Sequence, residues 1–191
     1  MAGETYLEKV TLGELSAHNG AIVLEAYNCC WPEQFRREAE KIRRALGPAA
    51  LSVEHVGSTS VPGLCAKPIL DILLLVADAD QENSYVPALT GAGYILRIRE
   101  PEWFQHRMFK GEEPAVNLHV FSRRCPEAMR MLAFRDWLRT HDGDRERYAS
   151  AKRRLAGRRW RYVQDYADAK TDVIREILRH ARCQNEMISP N

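Results

Sequence analysis

The run from His55 to Ile72 holds the residue types best able to do chemistry: Gly57-Ser58-Thr59-Ser60, Gly63, Lys67 and Asp71, in that order. Gly57 and Gly63 open backbone angles closed to other residues, so a turn here can present N–H groups and the hydroxyls of Ser58, Thr59 and Ser60 to an anion. That is the make-up of a phosphate cradle. Asp71 interrupts the apolar run Ile69, Leu70, Ile72, Leu73, Leu74, Leu75 and Val76, which by length and content reads as a strand buried on both faces. An unpaired carboxylate there would cost several kcal/mol, so Asp71 belongs at the strand's exposed end or against a cation. Twelve residues separate Ser58 from Asp71, enough for a loop returning to an adjacent strand. A purely structural Asp71, salt-paired to Lys67 or an arginine to anchor the loop, stays open as the alternative.

Asn117 and His119 alternate with Val116, Leu118 and Val120, and the period of two puts the amide and the imidazole on one face of a strand. An imidazole there can act as a base, a metal ligand or a donor to phosphate, or simply as a satisfied structural residue. His55, beside the loop, faces the same choice. Glu54, one strand away from Asp71, is a second carboxylate within reach of the loop. Lys67, Arg107, Lys110, Arg135, Lys152 and Lys170 are the cationic candidates for phosphate, arginine as a planar fork and lysine as a mobile charge. Lys152 and Lys170 each follow a tyrosine by four residues, so each pair shares a helical face, where the lysine stem can instead cover the ring. Arg135-Asp136 reads alternatively as an internal salt bridge. Arg158-Arg159-Trp160-Arg161-Tyr162 interleaves charge and rings as single-strand binders do. No nucleic-acid motif surrounds it, so a connection between helices with inward aromatics is expected, and nucleic acid is not an expected partner.

The elements that must carry these residues follow from periodicity. Phe35, Ala39, Ile42 and Leu46 line one face of a helix over 33–46, with Glu33–Arg37 and Glu40–Arg44 pairs across a turn, Pro32 in its first turn and Gly47-Pro48 to stop it. Strands are expected near 51–57 and 69–76, a short helix at 83–91, and extended segments near 94–99, 104–110 and 115–121. From residue 126 the pattern turns helical, marked by Met131, Phe134 and Leu138, then Tyr148, Ala151 and Leu155, then Tyr166, Ala169, Val173 and Ile177. Residues 1–25 read as an N-terminal extension whose first 20 residues form a strand-forming or loose arm, 26–182 as a single domain, and 183–191 as a flexible tail.

Taken in order, these residues resemble the GrpB family, a predicted branch of the nucleotidyltransferase superfamily. Val56-Gly57-Ser58 and Asp71-Ile72 match the superfamily pattern of a hydrophobic residue, Gly, Gly or Ser, a spacer and then acid-hydrophobic-acid, with Leu73 standing where the second acid is expected. Tyr27, Trp31-Pro32 and Phe35 look like the family's opening segment, although Asn28-Cys29-Cys30 replaces the more usual Asp-Pro. Asn117-Leu118-His119-Val120, Phe134-Arg135-Asp136, Tyr148 with Lys152, and Tyr166 to Lys170 look like its later motifs. The resemblance implies an α/β (α+β) fold, a nucleotidyltransferase-like mixed β-sheet with flanking helices and a helical C-terminal part. It also implies transfer of a nucleoside monophosphate from a triphosphate, or another phosphorylated small molecule, to a small acceptor. In that scheme Asp71 holds magnesium, Gly57, Ser58, Thr59, Ser60 and the cationic side chains hold phosphates, and Glu54 and His119 support the metal or the acceptor with His55 and Asn117 beside them. With one acid, the remaining magnesium ligands must come from phosphates, water or Glu54. The alternative is a non-catalytic nucleotide or coenzyme A-related binding module, since related domains occur fused to dephospho-coenzyme A kinase.

At 191 residues and 45% hydrophobic, the chain can bury one sizeable core. It has no apolar stretch of membrane-spanning length and no secretory start, so a cytoplasmic location is expected and a membrane is not. Five cysteines without a C-x-x-C pair argue against a disulfide framework and a structural zinc. The net charge of +2 hides an asymmetry: residues 1–122 hold 11 Lys or Arg against 16 Asp or Glu, residues 123–182 hold 17 against 9. An anionic ligand at the glycine-serine loop would meet that basic part, which otherwise reads as solvated helix faces.

Overall fold

The computed structural model describes residues 4–15, 17 and 19–188, the side chains of 185–188 excepted. The N-terminal segment, expected as a strand-forming or loose arm, instead opens with helix α1 (Glu4–Val10). Leu7 and Val10 lie three apart, hence on one face. Both are buried, and Thr11 bridges Ile98 to fasten the helix to a sheet edge. After the short strand β1 (Gly20–Ala21) comes α2 (Trp31–Leu46), with Pro32 in its first turn and Trp31, Ala39, Ile42 and Leu46 buried. Arg37 meets Glu33 at 3.0 Å as its spacing predicts, whereas Glu40 is taken by Arg36 at 2.7 Å rather than by Arg44. Exposed pairs of this kind are worth a few tenths of a kcal/mol.

Strands β2 (Ser52–Val56) and β3 (Leu70–Val76) flank the glycine-serine loop. Helix α3 (Val86–Gly91) then leads to β4 (Ile95–Glu100), β5 (His106–Gly111) and β6 (Val116–Ser122). These strands form a mixed five-stranded sheet of order β2-β3-β6-β5-β4, with β3 and β6 parallel and the other neighbours antiparallel. The register sets Val56 opposite Asp71, Asp71 beside Asn117, Leu73 beside His119, and His119 opposite Met108. Because side chains alternate, Glu54, Asp71, Leu73, Asn117, His119 and Lys110 share one face. The opposite face supplies Ile72, Leu74, Leu118, Val120 and Phe109, which bury under α2 and α3 with Ile42, Tyr85 and Leu89 as the main core. Cutting one of these leucines to alanine would cost about 2 to 5 kcal/mol.

The C-terminal part is helical: α4 (Pro126–Thr140), α5 (Asp142–Ala156), the short strand β7 (Arg159–Trp160), α6 (Val163–Asp168) and α7 (Thr171–Ile188). The segment beginning at Tyr166, expected as one helix, is therefore two. Asp172 lies in the first turn of α7, where a carboxylate suits the helix dipole. The helix also carries the expected tail on to Ile188, and residues 189–191 lie outside the described residues. Strand β7 pairs with β1, and Trp160 packs on Ile22, Leu155 and Tyr166, so the basic-aromatic run is an inward-packed connection. Ala128 of α4 and Cys125 just before it cover Val56, Leu73 and Phe121 on the far part of the site face. Val61 and Leu64 from the glycine-serine loop bury among Leu138, Tyr148 and Ile177, which welds the loop to the helices. Among the described residues no helix is long and apolar enough to cross a membrane.

Candidate functional site

Gly57 directly follows β2 with φ 68° and ψ −170°, a combination open essentially to glycine alone. A Cβ built there would lie 2.3 Å from Oδ2 of Asp71, so the position is closed to a side chain twice over, by its backbone and by the carboxylate. Gly57→Ala is expected to cost about 1 to 3 kcal/mol from the backbone alone and to displace Asp71; urea unfolding measures it, and a neutral result would mean that the carboxylate moves aside freely. Past Gly57, Ser58–Ser60 make a single 3-10 turn. The Ser60 hydroxyl donates to the Gly57 carbonyl at 2.6 Å, and the Thr59 hydroxyl reaches His55 Nε2 at 3.0 Å and the Ile69 carbonyl at 3.4 Å. These two hydroxyls hold the loop together. Ser58 is the partly exposed one, next to the Tyr148 hydroxyl. His55 stacks on Phe35 at 4.7 Å, and burial pulls its pKa down to about 4, so it props the loop as a neutral ring.

Asp71 sits at the start of β3 with its side chain 31% exposed, and its Oδ1 accepts from the Asn117 amide at 2.7 Å and lies 3.8 Å from His119 Nε2. Burial opposes its charge, but His119, the Asn117 amide and Lys67 outweigh that and hold the carboxyl below the ordinary carboxylate range. Behind His119 a row of groups runs across the sheet. His119 Nδ1 meets His106 Nε2 at 3.0 Å, His106 Nδ1 meets Glu100 at 2.6 Å, and the Tyr6 hydroxyl donates to the other Glu100 oxygen at 2.6 Å. His106 is 3% exposed, stacked on Phe121 at 4.7 Å with Trp103 edge-on at 5.2 Å. Burial brings its pKa down to about 4. Tyr6, Glu100 and His106 were not candidates from sequence.

Four lysines surround Asp71. Lys110 donates to Asn117. Lys152, 2% exposed, donates to the Cys65 carbonyl and lies over the Tyr148 ring at 5.4 Å. Lys170 and Lys67 lie over the Tyr166 ring at 4.5 and 5.8 Å, so the Tyr-Lys pairs at a four-residue spacing do meet. Burial lowers the pKa of Lys152 to about 7 and of Lys67 to about 8, each further depressed by Lys170, and burial lowers those of Lys170 and Lys110 as well. The hydroxyl of Tyr166, the ring that Lys67 and Lys170 cover, is buried and has no hydrogen-bond partner among the described residues. The four lysines, Asp71, Asn117 and Tyr166 line one cavity of about 850 Å³, of the size that holds a small molecule.

That cavity gathers Gly57, Ser58, Thr59, Lys67, Asp71, Lys110, Asn117, His119, Lys152 and Lys170 from the sequence candidates. Glu54 and Arg135 lie outside its lining and bind each other at 2.9 Å, with Arg135 also on Asp136 at 2.7 Å. Arg107 sits opposite Val120 in register, on the other face of the sheet, and pairs with Glu82 and Asp80. His55 and Ser60 act inside the loop. Among the described residues no three His, Cys, Asp or Glu side chains gather into a metal-binding cluster. For a divalent ion, Asp71 and His119 are the two adjoining donors.

Residues 21–180 match a family described as GrpB protein. The chain is 58% identical over 175 residues to a UPF0157 protein of Halalkalibacterium halodurans, covering 92% of this chain and 90% of that protein. It is 30% identical over 164 residues to a dephospho-CoA kinase of Mycobacterium bovis, covering 70% of this chain but 40% of the kinase. In structure it is similar to the crystal structure of the conserved protein GrpB from Enterococcus faecalis, with a TM-score of 0.71 and 29% identity over 85% of this chain and 99% of that one. The mixed sheet with flanking helices and a helical C-terminal part is the fold class expected from the sequence.

Proposed function

The chain belongs to the GrpB family, and we propose that its cavity binds a phosphorylated small molecule, a nucleoside triphosphate before others, and transfers its nucleotidyl group to a small acceptor. The observation that carries this reading is the gathering of Lys67, Lys110, Lys152 and Lys170 around one carboxylate. Like charges kept together under burial are costly, and a polyanion in the cavity removes that cost. The Ser58 hydroxyl and the lysines would orient the phosphates, and a phosphate oxygen within reach of Tyr166, which also lines the cavity, would give its hydroxyl an acceptor.

The donor set suits a divalent ion that arrives with the phosphates rather than one held by protein alone. Asp71 offers a carboxylate whose Oδ2 side is kept open by the missing Cβ of Gly57, and a magnesium ion is commonly bound by one or two carboxylates plus substrate oxygens. Such an ion would offset charge developing on the transferred phosphoryl group. Asn117 keeps Asp71 in place, Lys110 keeps Asn117 in place, and α4 and α5 close the loop side against water.

Calorimetry with a nucleoside triphosphate and magnesium tests the reading. Ser58→Ala should weaken binding by about 1 to 3 kcal/mol, the range for a charge-assisted hydrogen bond. Asp71→Asn should abolish the magnesium-dependent part of the stabilisation while leaving a folded protein. Equal affinity of wild type and Ser58→Ala would remove the loop as the phosphate site, and a full magnesium-nucleotide shift in Asp71→Asn would remove the metal role.

A second reading, a non-catalytic coenzyme A-related binding module, is favoured by Leu73, which is 0% exposed in an apolar cluster where a second acid would be needed. Coenzyme A precursors in the same melts separate the two, because a ligand at a hundred times its dissociation constant adds about 2.7 kcal/mol.

A further inference from the structure

We propose that the cavity has an apolar lobe at the β4 edge of the sheet, built by Leu7, Val10, Ile98 and Met108, and that this lobe holds the aliphatic body of the acceptor. Calling the occupant an acceptor rests on the reading that a nucleotidyl group is transferred in this cavity; the lobe itself rests on geometry alone.

Strand register lays out its floor. His119 on β6 stands opposite Met108 on β5, and Met108 opposite Ile98 on β4. Residues opposite each other in register share one side of a sheet, so Met108 and Ile98 carry the face of Asp71 and His119 on toward the β4 edge, over two strand spacings or about 10 Å. Helix α1 walls that edge. The Thr11 bridge to Ile98 and the Leu12 amide on the Arg97 carbonyl at 2.8 Å tie the segment after α1 to β4. Leu7 and Val10, buried on one face of α1, line the same cavity as Ile98, Met108 and Asp71.

Charge divides the cavity between two kinds of ligand. Lys67 lies in the loop that leads into β3, and Lys152 is tied to that loop through the Cys65 carbonyl, so phosphates gather at the β3 end. At the β4 end the polar side chains serve one another or the backbone. Tyr6 donates to one Glu100 oxygen, the other Glu100 oxygen holds His106, and Arg97 donates to the Glu14 carbonyl. A nucleobase needs donors and acceptors matched to its ring edge, and unmatched ones carry the penalty of a buried unpaired polar group. An aliphatic body makes no such demand. It gains from each methylene laid over Ile98 and the adaptable thioether of Met108, and its polar head then falls beside Asp71.

Titration of the whole chain with butanol, hexanol and octanol, read by calorimetry, should show affinity rising about fourfold per methylene until the alcohol spans the lobe. With hexanol, the methyl signals of Leu7, Val10, Ile98 and Met108 should shift ahead of those of Ile72 and Leu118 in the main core. Met108→Gln should lower hexanol affinity about tenfold, and Val10→Gln, on a separate element, should do the same. Affinities independent of chain length, shifts confined to the main core, or adenosine displacing hexanol from the same methyls would each overturn the proposal. The alcohol series and the shifts are read on wild type, so they stand even if a variant does not fold. Pyrophosphate calorimetry separates this reading from the one it rests on. Pyrophosphate bound without an alcohol response would sink the lobe alone, whereas an alcohol response without pyrophosphate binding would sink the transfer reading and leave the apolar lobe.

Discussion

Replacing Lys152 with methionine is expected to make the protein without ligand more stable, by about 1 to 3 kcal/mol at pH 7, and to remove most of its affinity for phosphorylated ligands. A lysine moved from its free pKa of 10.5 to about 7 carries a charging penalty of roughly 4 kcal/mol at neutral pH. Methionine matches much of the aliphatic stem and escapes that penalty. The Cys65 carbonyl then loses its donor, which gives back about 1 to 3 kcal/mol. Stability and binding should therefore change in opposite senses, as at a site where a strained group is kept for function. Urea unfolding and pyrophosphate calorimetry on the same variant decide it; a protein that loses stability and keeps its affinity would make Lys152 a structural prop.

From pH 7 to pH 10 the unfolding free energy should rise, by about 1.4 kcal/mol per pH unit from Lys152 alone. Its folded pKa of about 7 lies below the unfolded value of 10.5. In that window the unfolded chain binds a proton that the native one has released, so stability increases with pH. Below pH 7 both states are charged and the penalty is complete; above about 10.5 both are neutral and nothing more is gained. Lys67, at about 8, adds a contribution of the same sign from pH 8 upward. A bound anion restores the charges, so binding should take up protons and weaken as pH rises through the same window. Unfolding at pH 7, 8 and 9, with calorimetry in buffers of different ionisation heat, checks both halves. A flat stability curve with no proton uptake would mean that water already solvates these amines.

The residues that were legible in sequence are those whose signal is local. The stripe of Ala39, Ile42 and Leu46 makes α2, and the apolar run broken by Asp71 makes β3 and puts the acid at its exposed start. Helix α1 escapes because Leu7 and Val10 are its only buried apolar residues among those described, too few to show a period, while its other ties, from Tyr6 to Glu100 and from Thr11 to Ile98, are long-range. Glu100 and His106 meet through pairing of β4 with β5, whose register shifts between Leu96 and Ile98, and nothing local marks that shift. Arg107 was readable: a strand that turns Met108 toward His119 must turn its neighbour to the other face. The spacing that sets each lysine over its tyrosine is local too. Their convergence is not, since it depends on Leu64 burying among the C-terminal helices.

Leu73 imposes an order on history. It stands two residues from Asp71 on the same face, yet it is sealed beneath α4 with Val56, Phe121 and Ala128 while Asp71 opens to the cavity. An aspartate at position 73 would put a carboxylate into the apolar cluster under α4, and with the other members of that cluster unchanged the desolvation costs several kcal/mol, a large share of the roughly 5 to 15 kcal/mol that holds a domain together. A two-acid sheet and this one-acid sheet are thus not adjacent in sequence space. Any substitution path between them must first lift or repack α4, and a single reversion from Leu73 meets a barrier whatever its catalytic benefit.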